Sequence, residues 1–229
     1  MSTSSAILDE LVESLKTQAS LLIAVSEMEA IGPNDLRDEF ARRQLRRSAE
    51  LVSGAAALGA VANSASLGVL SRSLLEQLIM VLWGIRSIDN AKSQSDAGTA
   101  ELAKALKMNL KAGTAKVFDR RTGEEVTARY LEREQAKGSP RRKSVEEQAK
   151  EAGVLDLYTV FYRFLSLETH GHNESPKEKS EIAALCVTHL QGIGGISRAI
   201  GQAGVWWLMH RHWPDNESLR EVLGLNAKA

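Results

Sequence analysis

The chain has 229 residues, of which 43% are hydrophobic and 25% charged, proportions that exclude a disordered or fibrous protein and leave room for a sizeable core. Lysine plus arginine and aspartate plus glutamate each number 29, so the formal net charge is zero, which excludes a protein that grips DNA by bulk charge. Aromatic residues make up only 5% while leucine and alanine are abundant, and this composition predicts an all-α fold rather than sheets.

The opening MSTSSAILDELVESLK has early acidic residues and no apolar core of the signal-peptide kind. Ile7, Leu8, Leu11, Leu15, Leu22 and Val25 recur at helical spacing over residues 5–30. Gly32-Pro33-Asn34-Asp35 then makes a turn, with Asn34 or Asp35 as N-cap of a helix over about 35–62. That helix starts charged and ends in GAAALGAVA, small residues that let another helix approach closely. Its basic cluster, Arg42, Arg43, Arg46 and Arg47, reads as a phosphate-contacting patch or as a solvated face. Asp38, Glu39 and Glu50 at helical spacing favour the solvated face.

Residues 66–88 form the most apolar stretch, predicted to be the central helix. Arg72 and Glu76 interrupt it one turn apart. Charges in a buried helix are costly unless partnered, so they either fix the helix as an ion pair or line a polar pocket. The chain from 89 to 155 is more polar. It reads as a loop at Ser93–Gly98, a helix over about 99–115, and a small β-hairpin or irregular excursion at 117–126 around Thr122-Gly123. A charged helix over 127–137 follows, then a basic turn from Gly138 to Lys143. Ser144 and Glu147 have capping-box spacing and open a further helix. Residues 92–145 thus read as a polar, mobile insertion into one helical bundle spanning 1–229.

The segment YTVFYRFLSLETHGHN, Tyr158 to Asn173, concentrates polar chemistry on a helix predicted to be capped by Asp156. Tyr158, Tyr162 and Ser166 repeat every four residues, and Arg163, Ser166 and His170 share a face. Gly171 turns the chain, leaving His172 and Asn173 in a loop. A long helix is expected over about 178–202, where Cys186, the single cysteine, sits between Leu185 and Val187 as a small buried hydrophobe. One cysteine excludes an intrachain disulfide and fits a reducing, cytoplasmic setting. Gly192, Gly194, Gly195, Gly201 and Gly204 predict close helix contact or a break near 192–195. No run reaches the roughly 18 apolar residues of a membrane span; Leu185–Leu208 comes closest but is interrupted by His189, Gln191, Arg198 and Gln202. Trp206, Trp207 and Trp213 with His210 and His212 suggest a half-buried surface suited to a protein partner, and Pro214 and Asp215 start a short terminal helix.

An imidazole and a guanidinium two helical turns apart suit metal-independent RNA cleavage. That reaction needs a base for the 2′-hydroxyl, an acid for the leaving oxygen and a cation for the charged phosphorane. The histidine pairs at 170/172 and 210/212 lack HExxH spacing and no cysteine pair exists, so no metal and no cofactor is expected. Ser166 lacks the GxSxG elbow of a serine hydrolase.

SRSLLEQLIMVLWGI, with Arg72 and Glu76, resembles the Arg-x-x-x-Glu helix of the bacterial domain-of-unknown-function family 5677. YTVFYRFLSLETHGH resembles that family's later segment, here Tyr158, Tyr162, Ser166 and His170. The resemblance covers roughly residues 45–200 and implies an all-helical fold with a polar site joining two helices. More remotely, Arg163 and His170 are similar to the Arg…His motif of HEPN domains, helical bundles that often dimerise and cleave RNA. Phe164 stands where active members commonly have a polar residue. The expectation is a HEPN-like ribonuclease or RNA-binding protein of a bacterial defence or toxin system. It would be a cytoplasmic homo-oligomer with RNA as partner. His170 would be the acid/base, Arg163 the phosphate cation, and Arg72 and Glu76 the orienting pair. Tyr158, Tyr162, Ser166, His172 and Asn173 would contact substrate. The alternative is a noncatalytic interaction module in which the polar cluster is structural.

Overall fold

The computed structural model describes residues 3–28, 34–136, 143–162, 165 and 178–212. In chain order the helices are α1 (Thr3–Glu27), α2 (Leu36–Ala60), α3 (Ser64–Gly84), α4 (Ile88–Lys111), α5 (Thr127–Ala136), α6 (Val145–Glu151) and α7 (Leu155–Leu157). A π-helical turn (Tyr158–Tyr162) and α8 (Lys179–His212) complete the set. Among the described residues the fold is all-α, with one isolated antiparallel bridge between Phe118 and Glu125. Two compact units form, one of Met1–Ile88 with Val145–Ala229 and one of Asp89–Ser144.

In the first unit, α1 packs on α2 and α8, α3 packs on α2 and α8, and α2 also meets α8. Their shared interior holds Leu15, Leu45, Val52, Leu67, Leu74, Ile79, Leu190, Ile193 and Ile200, all buried. Cys186 is buried among them, and burial raises its thiol pKa. Asp35 is the N-cap of α2. Its side chain accepts from the Arg37 N–H at 2.7 Å, while Asp38 accepts from the Asp35 N–H at 2.8 Å, a reciprocal box. Only three residues separate α2 from α3. Ala62 turns the chain with φ 53°, and the Asn63 side chain caps α3 by accepting from the Ser66 N–H at 3.1 Å. Gly84 lies against the Phe40 ring, where a Cβ would collide.

α3 is long and apolar enough to cross a membrane, with a mean hydropathy of 1.4 over 18 residues, but half of that window is packed inside the protein. The glycine run does not break α8, which continues unbroken to His212 rather than ending near 202. Each interior glycine costs about 1 kcal/mol relative to alanine. Burying each of Leu190, Ile193, Ile200 and Leu208 contributes roughly 1.5–3 kcal/mol, which outweighs that cost. Gly204 also admits Leu45, whose methyls would sit 2.8 Å from an added Cβ.

In the second unit, Ser93–Gly98 is helical and belongs to α4, correcting the expected loop. The stretch is polar but has no proline, and its serines and aspartate disfavour helix by only a fraction of a kcal/mol each. Gly113, with φ 70°, closes α4, and the Phe118–Glu125 bridge encloses a turn in which Gly123 has φ 72°.

Candidate functional site

The site rests on α3 and the π-helical turn. The far end of α3 positions that turn through α6. The Trp83 Nε1–H donates to Glu151 Oε2 at 2.6 Å, and Arg86 donates to the Glu151 and Ala152 carbonyls at 2.9 and 2.6 Å. Gly153 follows with φ 72°. Its N–H bonds the Lys150 carbonyl at 3.1 Å and the Val154 N–H bonds the Ala149 carbonyl at 2.9 Å, the glycine-dependent ending of a helix. The chain reverses here and α7 begins. Its N-cap is Val154 without a side-chain bond, so Asp156 lies inside the first turn and is not the expected cap. Over Tyr158–Tyr162 a wider π-turn then replaces the expected α-helix.

This route brings Tyr162 onto Arg72 and Glu76. Arg72 Nη2 donates to the Tyr162 hydroxyl at 2.8 Å, and that hydroxyl donates to Glu76 Oε1 at 2.9 Å. Arg72 Nε lies 3.4 Å from the same carboxylate oxygen, and its guanidinium covers the Tyr162 ring at 4.8 Å. Tyr158 stacks on Tyr162 with ring centroids 4.6 Å apart. The side chains of Arg72 and Glu76 are 21% and 33% exposed, so the cluster opens to solvent at the edge of the core. Val160 and Phe161 beside it are exposed.

Burial raises the Tyr162 pKa, and the Glu76 carboxylate raises it further despite Arg72. The phenol is therefore neutral near pH 7 and acts as a donor to Glu76. Burial alone would lower the Arg72 pKa, but Tyr162 and Glu76 more than reverse this, so its charge is fixed. Arg72, Glu76, Tyr158 and Tyr162 are thus brought together as one cluster. Arg163, Ser166, His170, His172 and Asn173 lie outside the described residues, as do Trp213, Pro214 and Asp215. Among the described residues no group of three or more histidine, cysteine, aspartate or glutamate side chains is arranged to hold a metal.

A second polar network has no counterpart in the sequence reading. Asp38, expected to balance the arginines of its own helix, is fully buried and faces α8. It accepts from Trp207 Nε1–H at 3.1 Å and from Arg211 at 3.0 Å through each carboxylate oxygen, and His212 Nε2 lies 3.2 Å away. His212 is buried rather than part of a surface, whereas His210 is exposed. The only available signal was the Asp35-x-x-Asp38 capping spacing, which marks the helix start but not the distant partners. The arginine cluster is largely structural. Arg42 and Arg46 reach the carbonyl and hydroxyl of Ser26 at 2.9 and 3.4 Å, and Arg47 pairs with Glu50 at 2.8 Å.

Comparison with curated proteins and with solved structures finds no match. Residues 38–179, by contrast, match a family of unknown function, DUF5677, over a span that holds both halves of the Arg72–Glu76–Tyr162 cluster. With more than half of its length matched, the chain belongs to the DUF5677 family.

Proposed function

We propose that this protein is a HEPN-like, metal-independent endoribonuclease or RNA-binding protein of a bacterial defence or toxin system, working in the cytoplasm as a homodimer. The observation that carries the reading is the Tyr162 hydroxyl held between Arg72 and Glu76. This bond anchors the chain immediately before Arg163 on a rigid helix, and fixed supports are what a catalytic histidine and its cation require. In this reading His170 takes the 2′-hydroxyl proton, and the 2′-oxygen attacks phosphorus. The P–O5′ bond breaks, and the departing 5′-oxygen is protonated by a histidine, His170 of the same or a second copy. The products are a 2′,3′-cyclic phosphate and a 5′-hydroxyl. Arg163 stabilises the phosphorane, Arg72 and Glu76 orient the site, and Tyr158, Tyr162, Ser166, His172 and Asn173 contact the strand.

The test is incubation of the purified chain with RNA in chelator, beside His170→Ala. The expected outcome is cleavage by the parent and a loss of at least about 100-fold in the variant, the typical worth of general acid–base catalysis. Equal cleavage by both, or none by either across a range of RNAs, counts against the nuclease.

A second reading draws on the same cluster. Arg72, Glu76 and Tyr162 are engaged with one another, which suits a structural lock in a noncatalytic interaction module. The exposed Trp206 near the end of α8 then belongs to a partner-binding surface.

A further inference from the structure

Away from the Arg72 cluster, α2, α3 and α8 line a cavity of about 1030 Å³. Its size is at the upper end for small-molecule sites, and most of the wall is apolar, including Leu78 and Leu82 of α3 and Ile85 just beyond its end. The two indoles on the wall each have a planar group stacked against them. Trp206 is 58% exposed and lies parallel to the His210 ring, with 5.4 Å between centroids and 2° between planes. Trp207 lies beneath the guanidinium groups of Arg37 and Arg211, 5.0 and 4.9 Å from its centroid. Asp35 and Asp38 pin both arginines, so this part of the wall is preorganised. Arg86 is different: its bonds go to the Glu151 and Ala152 carbonyls, neutral acceptors that leave its positive charge in place. Among the described residues that line the cavity there is no carboxylate.

An apolar wall, an exposed indole and a guanidinium whose partners among the described residues are neutral carbonyls select a flat ring that carries negative charge. We propose that this cavity binds a planar aromatic anion of about mononucleotide size, with the ring held by Trp206 and the α3 wall and the anionic group by Arg86. The site is independent of the ribonuclease reading. The wall is divided between the family-matched span, which holds Leu78, Leu82, Ile85 and Arg86, and residues beyond it, Trp206 and Arg211 among them.

Isothermal titration of the full chain with AMP, adenosine and inorganic phosphate tests the proposal. AMP is expected to bind with a Kd below about 1 mM, and adenosine and phosphate each about tenfold more weakly or worse. Trp206→Ala, a change at an exposed side chain, and Arg86→Gln are each expected to weaken AMP roughly tenfold, the scale of one stacking contact. Because Arg86 also holds the end of α6, the Trp206 variant decides if the Arg86 variant fails to fold. Lack of AMP binding at about 1 mM overturns the proposal. So does adenosine binding as tight as that of AMP. AMP affinity unchanged in Trp206→Ala overturns it too, since it would place the nucleotide elsewhere, the Arg72 cluster included.

Discussion

Tyr162 shares one hydroxyl between a guanidinium and a carboxylate while its ring stacks on Tyr158 and carries Arg72 on its face. Tyr162→Phe removes the hydroxyl and keeps the ring, which isolates the two charge-assisted bonds. Such bonds contribute about 1.5–3 kcal/mol when well buried. Partial exposure of Arg72 and Glu76 brings the expected loss to about 1 kcal/mol, read by urea unfolding. The two functional readings part at His170. A nuclease loses cleavage in His170→Ala with stability nearly intact, whereas a structural lock loses stability in both variants. Asp38 makes a separate prediction about acid. Burial by itself would raise its carboxyl pKa, but hydrogen bonds from Arg211 and the Asp35 N–H, the Arg211 charge and the His212 bond outweigh it and hold the group below 3.8. The unfolded chain therefore takes up this proton first as pH falls. The stabilisation is complete above about pH 4 and is lost as pH drops through the lowered folded value. Urea midpoints are expected to hold down to about pH 4 and then fall, with a shallower fall in Asp38→Asn.

The ending of α6 decides where the π-turn lies. Gly153 has φ 72°, a conformation that costs a residue with a side chain about 1 kcal/mol or more. An added Cβ would meet Arg86 at 3.5 Å, an ordinary contact, so backbone strain alone sets the cost of Gly153→Ala. We expect melting to drop by a few degrees, consistent with that loss. Amide exchange should quicken at Val154, whose N–H closes this turn, and at Tyr158, whose N–H bonds the Val154 carbonyl. The long elements were legible because their apolar residues recur with helical period. The expected 35–62 and 66–88 correspond to Leu36–Ala60 and Ser64–Gly84. Serine content misled at 93–98, where the lack of proline outweighed weak local preference; of the two expectations for the α8 glycines, close helix contact holds at Gly204 and the break near 192–195 does not occur. The π-turn left no periodic trace, since five residues are too few to separate a wider helix from an α-helix. Arg72 and Glu76 were legible because charge inside an apolar run demands a partner. Asp38 was not, because its partner Arg211 lies 173 residues away and no local pattern records that contact.

At the scale of the whole molecule, the proposed chemistry asks whether one chain holds a complete site. General acid–base cleavage needs a proton acceptor and a proton donor on opposite sides of phosphorus, and His170 is the one imidazole the HEPN resemblance assigns to this work. Two copies of the chain supply two imidazoles and two Arg163 side chains. A formal net charge of zero sets little electrostatic repulsion against their meeting. Light scattering should then return twice the mass of the chain. Mixing with inactive protein gives the sharper result. If each chain works alone, adding excess His170→Ala to a fixed amount of parent protein leaves RNA cleavage unchanged. If the site is shared, parent chains are captured in mixed dimers that have one imidazole, and cleavage falls as the excess grows. Arg163→Ala in the same excess should poison activity as well, because a shared site needs both cations around one phosphate. A parent rate that is insensitive to either variant, after the subunits have had time to exchange, assigns the whole reaction to a single chain and removes the reason for a dimer.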